Sequence, residues 1–220
     1  MIKRAWVLQP IFWLILAYAG LGCTRQERLP AQITEVRRTT ENTQIISDGN
    51  QIVLSITVFI LDDHEQVFSS GRTAEEVLKI QDEVNDIWQQ ANIYFEVDEI
   101  RRVAVPIDIT AHVIRREVDE FFQAIAQESD VFSTESQISG FYVQTLKGDN
   151  GLHPVGYPVF FVADETFNNS ARAVAHETGH ILGLDHTHNA PERLMHSGTN
   201  GTLLTKEEII LARRTASQLK

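Results

Sequence analysis

Residues 176–186 read His-Glu-Thr-Gly-His-Ile-Leu-Gly-Leu-Asp-His, and no other stretch constrains the chain so tightly. His176 and His180 are four apart, so a helix puts both imidazoles on one face, a turn apart, where they can share one metal ion. Glu177 points about 100° around that helix from His176. It is poorly placed as a third ligand and well placed to reach a water on the metal. Gly183 can take a positive φ, which ends the helix and turns the chain back. The turn returns His186 to the same ion. Three neutral imidazoles with one open position is the layout of a catalytic zinc rather than a closed structural one. A chance match to the fixed positions of this run, in a chain this long, is on the order of one in ten thousand. The plainer reading, a helix with ordinary surface histidines, must also account for a second element downstream.

That element is Met195, in Arg193-Leu194-Met195-His196-Ser197-Gly198. A lone Met is usually core filling, but its place just after the histidine motif gives it another meaning. Together the two elements resemble the metzincin zinc endopeptidases, in which a long zinc-binding motif precedes a tight turn with a methionine beneath the metal. The resemblance implies that His176, His180 and His186 are the zinc ligands, Glu177 the general base and Met195 the methionine of that turn. Thr187 follows the third histidine, which is closer to the Ser of the matrixin-like branch than to the acidic residues of other branches. Ser197 stands where some metzincins carry a tyrosine that approaches the metal, so no fifth ligand is expected.

The chain has 220 residues, enough for one domain with a real core. Its first 22 residues differ in kind from the rest. Lys3 and Arg4 open a run from Ala5 to Leu21 that is almost wholly apolar, and it ends in Gly20-Leu21-Gly22-Cys23. This reads as an export signal rather than a fold element. Trp6 and Trp13 belong to it and carry no chemistry. Cys23, the only cysteine, stands where a bacterial lipoprotein signal places its acylated residue, although Gly20 departs from the usual Leu. An ordinary cleaved signal and an uncleaved anchor helix are the alternatives; the run is a little short for a span of ~20 residues. The formal charge of −11 makes nucleic acid and anionic membrane surfaces poor partners. A single cysteine forms no internal disulfide and leaves none for an inhibitory thiol on zinc.

Residues 23–50 are polar and charge-rich, and read as a tether after the lipid-attachment cysteine, or as a short pro-segment. The folded domain is expected over residues 51–220. Ile52 to Leu61 is a buried strand by its apolar, β-branched run. Thr73-Ala74-Glu75-Glu76 is a capping box, and the helix it opens carries Val77, Val84, Trp88 and Ala91 on its apolar side. Ile93 to Ile100 alternates as a half-exposed strand. A second helix is expected from Ala111 to Ala126, striped by Ile114, Val118, Phe121, Phe122 and Ile125. Ile138–Leu146 and Val159–Val162 read as strands. Asn168, Asn169 and Ser170 offer a cap for the metal helix, and Thr205-Lys206-Glu207-Glu208 caps a last one. The order gives an α/β (α+β) fold with a mixed twisted sheet and long helices, and it is similar to that of a metzincin catalytic domain.

Other polar residues have plainer readings. His188 competes with His186 as a ligand, but the motif spacing favours His186. His196 sits beside Met195 and is a candidate substrate contact. His64, His112 and His153 read as ordinary surface residues, and Trp88 as core. Asp62-Asp63 and Gly148-Asp149-Asn150-Gly151 offer oxygens of the kind calcium takes, and serve equally well as turns. The strand near Tyr157 to Val162, opened by Pro158, is expected at the sheet edge, where it would pair with an extended peptide. The resemblance implies that the segment after Met195, His196 to Leu203, helps wall a pocket on the leaving-group side. The function this implies is peptide-bond hydrolysis by a metal-activated water, with Glu177 accepting and returning the proton. A hydrolase of cell-wall peptides or other amides, and a non-catalytic zinc module, are the rival readings. The sequence is silent on oligomeric state.

Location is testable from the N-terminus alone. Thr24 is not the Asp that often retains bacterial lipoproteins at the inner membrane, so an outer-membrane or cell-surface destination is expected, with secretion as the alternative. Each buried acyl CH₂ contributes ~0.8 kcal/mol to anchoring. Fractionation of cells expressing the full chain beside a Cys23→Ser variant, with mass spectrometry of the mature N-terminus, should find acylated Cys23 in the membrane. An unmodified Cys23, or a parent protein found only in the soluble fraction, leaves the ordinary secreted form as the better account.

Overall fold

The organising element is a twelve-residue strand, β2 (Ile52–Asp63), whose two faces are both covered. Leu54, Ile56, Val58 and Ile60 point into one apolar cluster, while Phe59 and Leu61 point into another. A continuous apolar run rather than a strict alternation is what such a central strand requires. The computed structural model describes residues 28–38, 51–167 and 169–219. The apolar N-terminal segment (1–22), Cys23, residues 39–50 and Asn168 lie outside the described residues.

The sheet is six-stranded and mixed, in the order β1-β3-β2-β4-β6-β5. Strands β3 (Ile93–Val105), β4 (Ile138–Val143) and β6 (Val159–Ala163) run parallel within the sheet, with β3 and β4 flanking β2. The outer strands β1 (Gln32–Arg38) and β5 (Gly151–Leu152) are antiparallel to their neighbours. Helices α1 (Ala74–Trp88), α5 (Ser170–Ile181) and α6 (Lys206–Gln218) supply one layer. Helices α2 (Ile107–Arg115) and α3 (Val118–Ile125), with the short α4 (Ser129–Phe132), supply the other. The fold is therefore α/β with helices on both faces of a mixed sheet. Among the described residues no helix is long and apolar enough to cross a membrane.

Both capping boxes form. Thr73 and Glu76 exchange side-chain and backbone hydrogen bonds at the start of α1, as Thr205 and Glu208 do at α6. Trp88 is fully buried at the end of α1, edge-on to Phe95 with ring centroids 6.0 Å apart.

Four expectations are corrected. The polar segment 23–50 is not all tether, because Gln32–Arg38 forms β1 against the far half of β3. Its exposed Ile33 and Val36 hide the alternation that marks a strand. The expected helix from Ala111 to Ala126 begins earlier and is two helices. Arg116 takes φ 61° and closes α2 by donating its N–H to His112 and Val113 carbonyls, and the chain restarts at α3. Left-handed backbone at a non-glycine residue leaves no mark in the apolar stripe. Finally, β6 is not the sheet edge. It lies between β4 and β5, every residue buried, and Tyr157 before it stacks on Phe122 at 4.4 Å. The edge is the two-residue β5. The Asp62-Asp63 turn is also committed elsewhere: Asp63 accepts backbone N–H groups from Glu65, Val67 and Phe68, and Asp62 pairs with Arg102 at 2.8 Å.

A glycine in β4 shows how tightly the strands are packed. A Cβ at Gly140 would lie 2.3–2.9 Å from three ring carbons of the buried Phe160. Gly140→Ala should therefore destabilise the full chain by about 1–3 kcal/mol, the usual cost of overpacking. Denaturant titration checks this, and an unchanged midpoint would contradict the packing described.

Candidate metal centre

Helix α5 is built to be held rather than to hold itself. Asn169 caps it, its side chain accepting from the Arg172 N–H at 3.1 Å. Nearly every α5 side chain is buried, including His176 (5% exposed) and Glu177 (7% exposed). Gly179 lies between the two helical histidines. A Cβ there would meet the Met195 sulfur at 2.5 Å, so the thioether packs directly against the helix. Trp88 reaches the same helix from α1, donating Nε1–H to the Thr178 hydroxyl at 3.1 Å.

The turn after α5 behaves as its glycine requires. Gly183 has φ 82°, its N–H donates to the His180 carbonyl, and the Leu184 N–H returns to the Gly179 carbonyl. The chain then runs back, and Thr187 donates its N–H to the Met195 carbonyl at 3.0 Å. This brings His186 to the other two. Its Nε2 lies 3.1 Å from Nε2 of His176 and 3.1 Å from Nε2 of His180. The far sides of the two helical rings are pinned: His176 Nδ1 lies 2.8 Å from the Leu194 carbonyl, and His180 Nδ1 lies 2.8 Å from the Leu184 carbonyl. A carbonyl only accepts, so each Nδ1 carries the proton and each Nε2 presents a lone pair inward. Burial also pushes His176 down to about 3 and His180 below its ordinary value, which keeps both rings neutral.

Two acceptor nitrogens, those of His176 and His180, converge on the His186 ring nitrogen, an arrangement that a shared cation resolves. Tetrahedral Zn–N bonds of about 2.0–2.1 Å place ligand nitrogens roughly 3.3 Å apart. The two 3.1 Å separations from His186 are close to that geometry, and His176, His180 and His186 form a group that could hold a metal ion.

Glu177 faces the same cleft, of about 450 Å³, lined by the three histidines, Arg172, Gly151, His153 and Ser197 among others. Its carboxyl packs against β5, where a Cβ at Gly151 would fall 2.6–2.9 Å from its side-chain atoms. Burial pushes Glu177 up to about 8, opposed by the charge of Arg172 and by a hydrogen bond from the His153 backbone.

The remaining sequence candidates divide. His188 is exposed and outside the histidine group. The His196 ring bonds to the Ser197 carbonyl, and it is Ser197 and Gly198 that line the cleft. His64 and His112 are half-buried and away from it, the latter paired with Glu117 at 2.8 Å. His153, expected as a surface residue, is a correction. Its ring lies 6.1 Å from that of His180 and nearly parallel to it, with Nδ1 at 3.0 Å from the Val159 carbonyl. Gly151, which the sequence offers only as part of a turn, and Arg172, which it leaves unmarked, also belong to the site. Only the pairing of β5 beside α5 reveals the first, and only the buried loop carbonyls reveal the second. In the Gly148–Gly151 turn, Asp149 pairs with Arg116 and the Asn150 side chain accepts from the Phe167 N–H.

No protein-family model and no curated protein matches the chain. Among solved structures, a chain from "Structure of a chaperone-substrate complex" superposes with a TM-score of 0.51 at 11% identity, covering 77% of this chain and 35% of that one. The likeness is one of fold alone.

Metal analysis tests the ligand set. His176→Ala, His180→Ala and His186→Ala should each lose most of the zinc that the full chain binds at one ion per chain. If His188→Ala lost it while His186→Ala kept it, the ligand assignment would be wrong.

Proposed function

We propose that the chain is a zinc-dependent endopeptidase of the metzincin kind, closest to the matrixin-like branch. The observation that carries this reading is a buried carboxyl group, that of Glu177, beside three inward-facing imidazole nitrogens in one open cleft. A non-catalytic zinc module has no use for a desolvated carboxyl group at that place. His176, His180 and His186 would hold the metal. When bound, zinc supplies a Lewis acid and lowers the pKa of a water in its open position towards ~7.

The chain's own residues do the rest. Glu177 takes a proton from the attacking water and delivers it to the leaving amine. Desolvation makes the carboxyl a stronger base than an exposed one, while the Arg172 charge and the His153 N–H favour its anion. Met195 packs under the helix as a soft floor and binds nothing. The outer side of β5 offers main-chain groups at Gly151 and Leu152 to an extended peptide. The cleft also adjoins a hollow of about 680 Å³ that shares Gly148, Asp149 and Phe167 with it. A channel of that extent suits a chain of several residues. We place the enzyme outside the cytoplasm, attached to a membrane through Cys23.

Glu177→Gln should keep zinc and fold yet lose turnover of any cleaved peptide by about 10²–10⁴-fold, the usual contribution of a general base. Digestion of a mixed peptide library, with and without a zinc chelator, measures this. A variant within a factor of a few of the parent would sink the mechanism.

Gly151→Ala should act on the same base from the other side. The added methyl must displace the Glu177 carboxyl, so kcat should fall while zinc content stays at one per chain. Parental kcat in a variant with full zinc would show that Glu177 does not need its observed position.

A further inference from the structure

Arg172 lies on α5 one turn before His176 and is 4% exposed. A guanidinium buried to that degree normally faces a carboxylate. Among the described residues this one makes no ion pair. Its hydrogen bonds run to three main-chain carbonyls: Leu194 at 2.7 Å, His196, and Gly201 at 3.4 Å. All three belong to the irregular segment that carries Met195. The Leu194 carbonyl is the same one that accepts Nδ1–H of His176 at 2.8 Å. A carbonyl oxygen has two lone pairs and can serve both donors. Leu194 lies in no helix or strand, so no ladder of backbone hydrogen bonds fixes its oxygen. The bond from Arg172 does, and it is charge-assisted, hence shorter and stronger than a neutral one.

We propose that Arg172 is a positioning residue for the metal centre: by holding the Leu194 carbonyl it sets the tautomer and tilt of His176. The inference rests on His176, His180 and His186 being metal ligands, but not on what the centre catalyses. Arg172 touches no ligand, and on His176 it acts through one peptide unit. Groups that orient a ligand imidazole in this way typically govern metal affinity by about 10–100-fold.

The test compares the full chain with Arg172→Gln, Arg172→Lys and, as a control, Arg193→Gln. Arg193 is also partly buried in this segment and binds the Leu203 carbonyl at 2.9 Å and Glu208, but shares no acceptor with a histidine. Two readouts are taken. Zinc affinity is measured by competition with a chromophoric chelator. The tautomer of His176 is read in the metal-free protein from its ring nitrogen shifts by NMR.

Arg172→Gln should bind zinc about 10–100-fold more weakly and show a mixture of His176 tautomers. Arg172→Lys keeps the charge but is a single-point donor, so it should show both effects to a smaller degree. It carries the test if the glutamine variant fails to fold. Arg193→Gln should lose stability and leave both readouts at parental values. A folded Arg172 variant with parental zinc affinity and a single His176 tautomer overturns the proposal, as does an Arg193→Gln variant that shifts both readouts as far. Neither readout needs a peptide. A parent chain that binds zinc and cleaves nothing would defeat the endopeptidase reading and leave this one standing.

Discussion

The arrangement on which the rest depends is the convergence of three imidazole nitrogens, with Nε2 of His186 3.1 Å from that of each helical histidine. Left to themselves, neutral imidazoles would rotate to find donors. Here they cannot, because the far side of each helical ring is spoken for by a carbonyl. The helix supplies the spacing, the Gly183 turn supplies the third ring, and the segment around Met195 supplies one of the two carbonyl props. Each part is ordinary. Their coincidence at one end of a cleft gives the site its character.

The sheet explains why α5 can bear a site of this kind. A helix that buries polar groups contributes little to its own stability, and tertiary packing must hold it. Strands β2, β4 and β6 are buried on both faces, and α5 packs on one of those faces beside α1 and α6. The second layer, α2 to α4, lies on the opposite face of the sheet from α5. It covers the aromatic face formed by Phe59, Phe121, Phe141 and Phe161, whose rings lie 5.0–5.3 Å apart in successive pairs. That layer keeps the platform rigid from behind.

What the sequence revealed follows from the range of the interactions involved. The His176–His186 spacing, the Gly183 turn and both capping boxes are local, and each could be read from neighbouring residues. The central strands were legible because burial on two faces leaves an apolar run. Most of the features that stayed hidden depend on residues distant in the chain. Segment 32–38 is a strand only because β3 extends far enough to pair with it. The break at Arg116 lies in its backbone angle and not in side-chain polarity. His153 enters the site because β5 turns back beside β6, and Arg172 matters only because the segment twenty or more residues later folds over it.

The two props of the helical histidines are main-chain oxygens, those of Leu194 and Leu184. Every residue type carries the same oxygen, so replacing either leucine by another side chain of similar shape leaves the prop in being. Both leucines are buried, so what their side chains supply is the packing that fixes where those two oxygens lie.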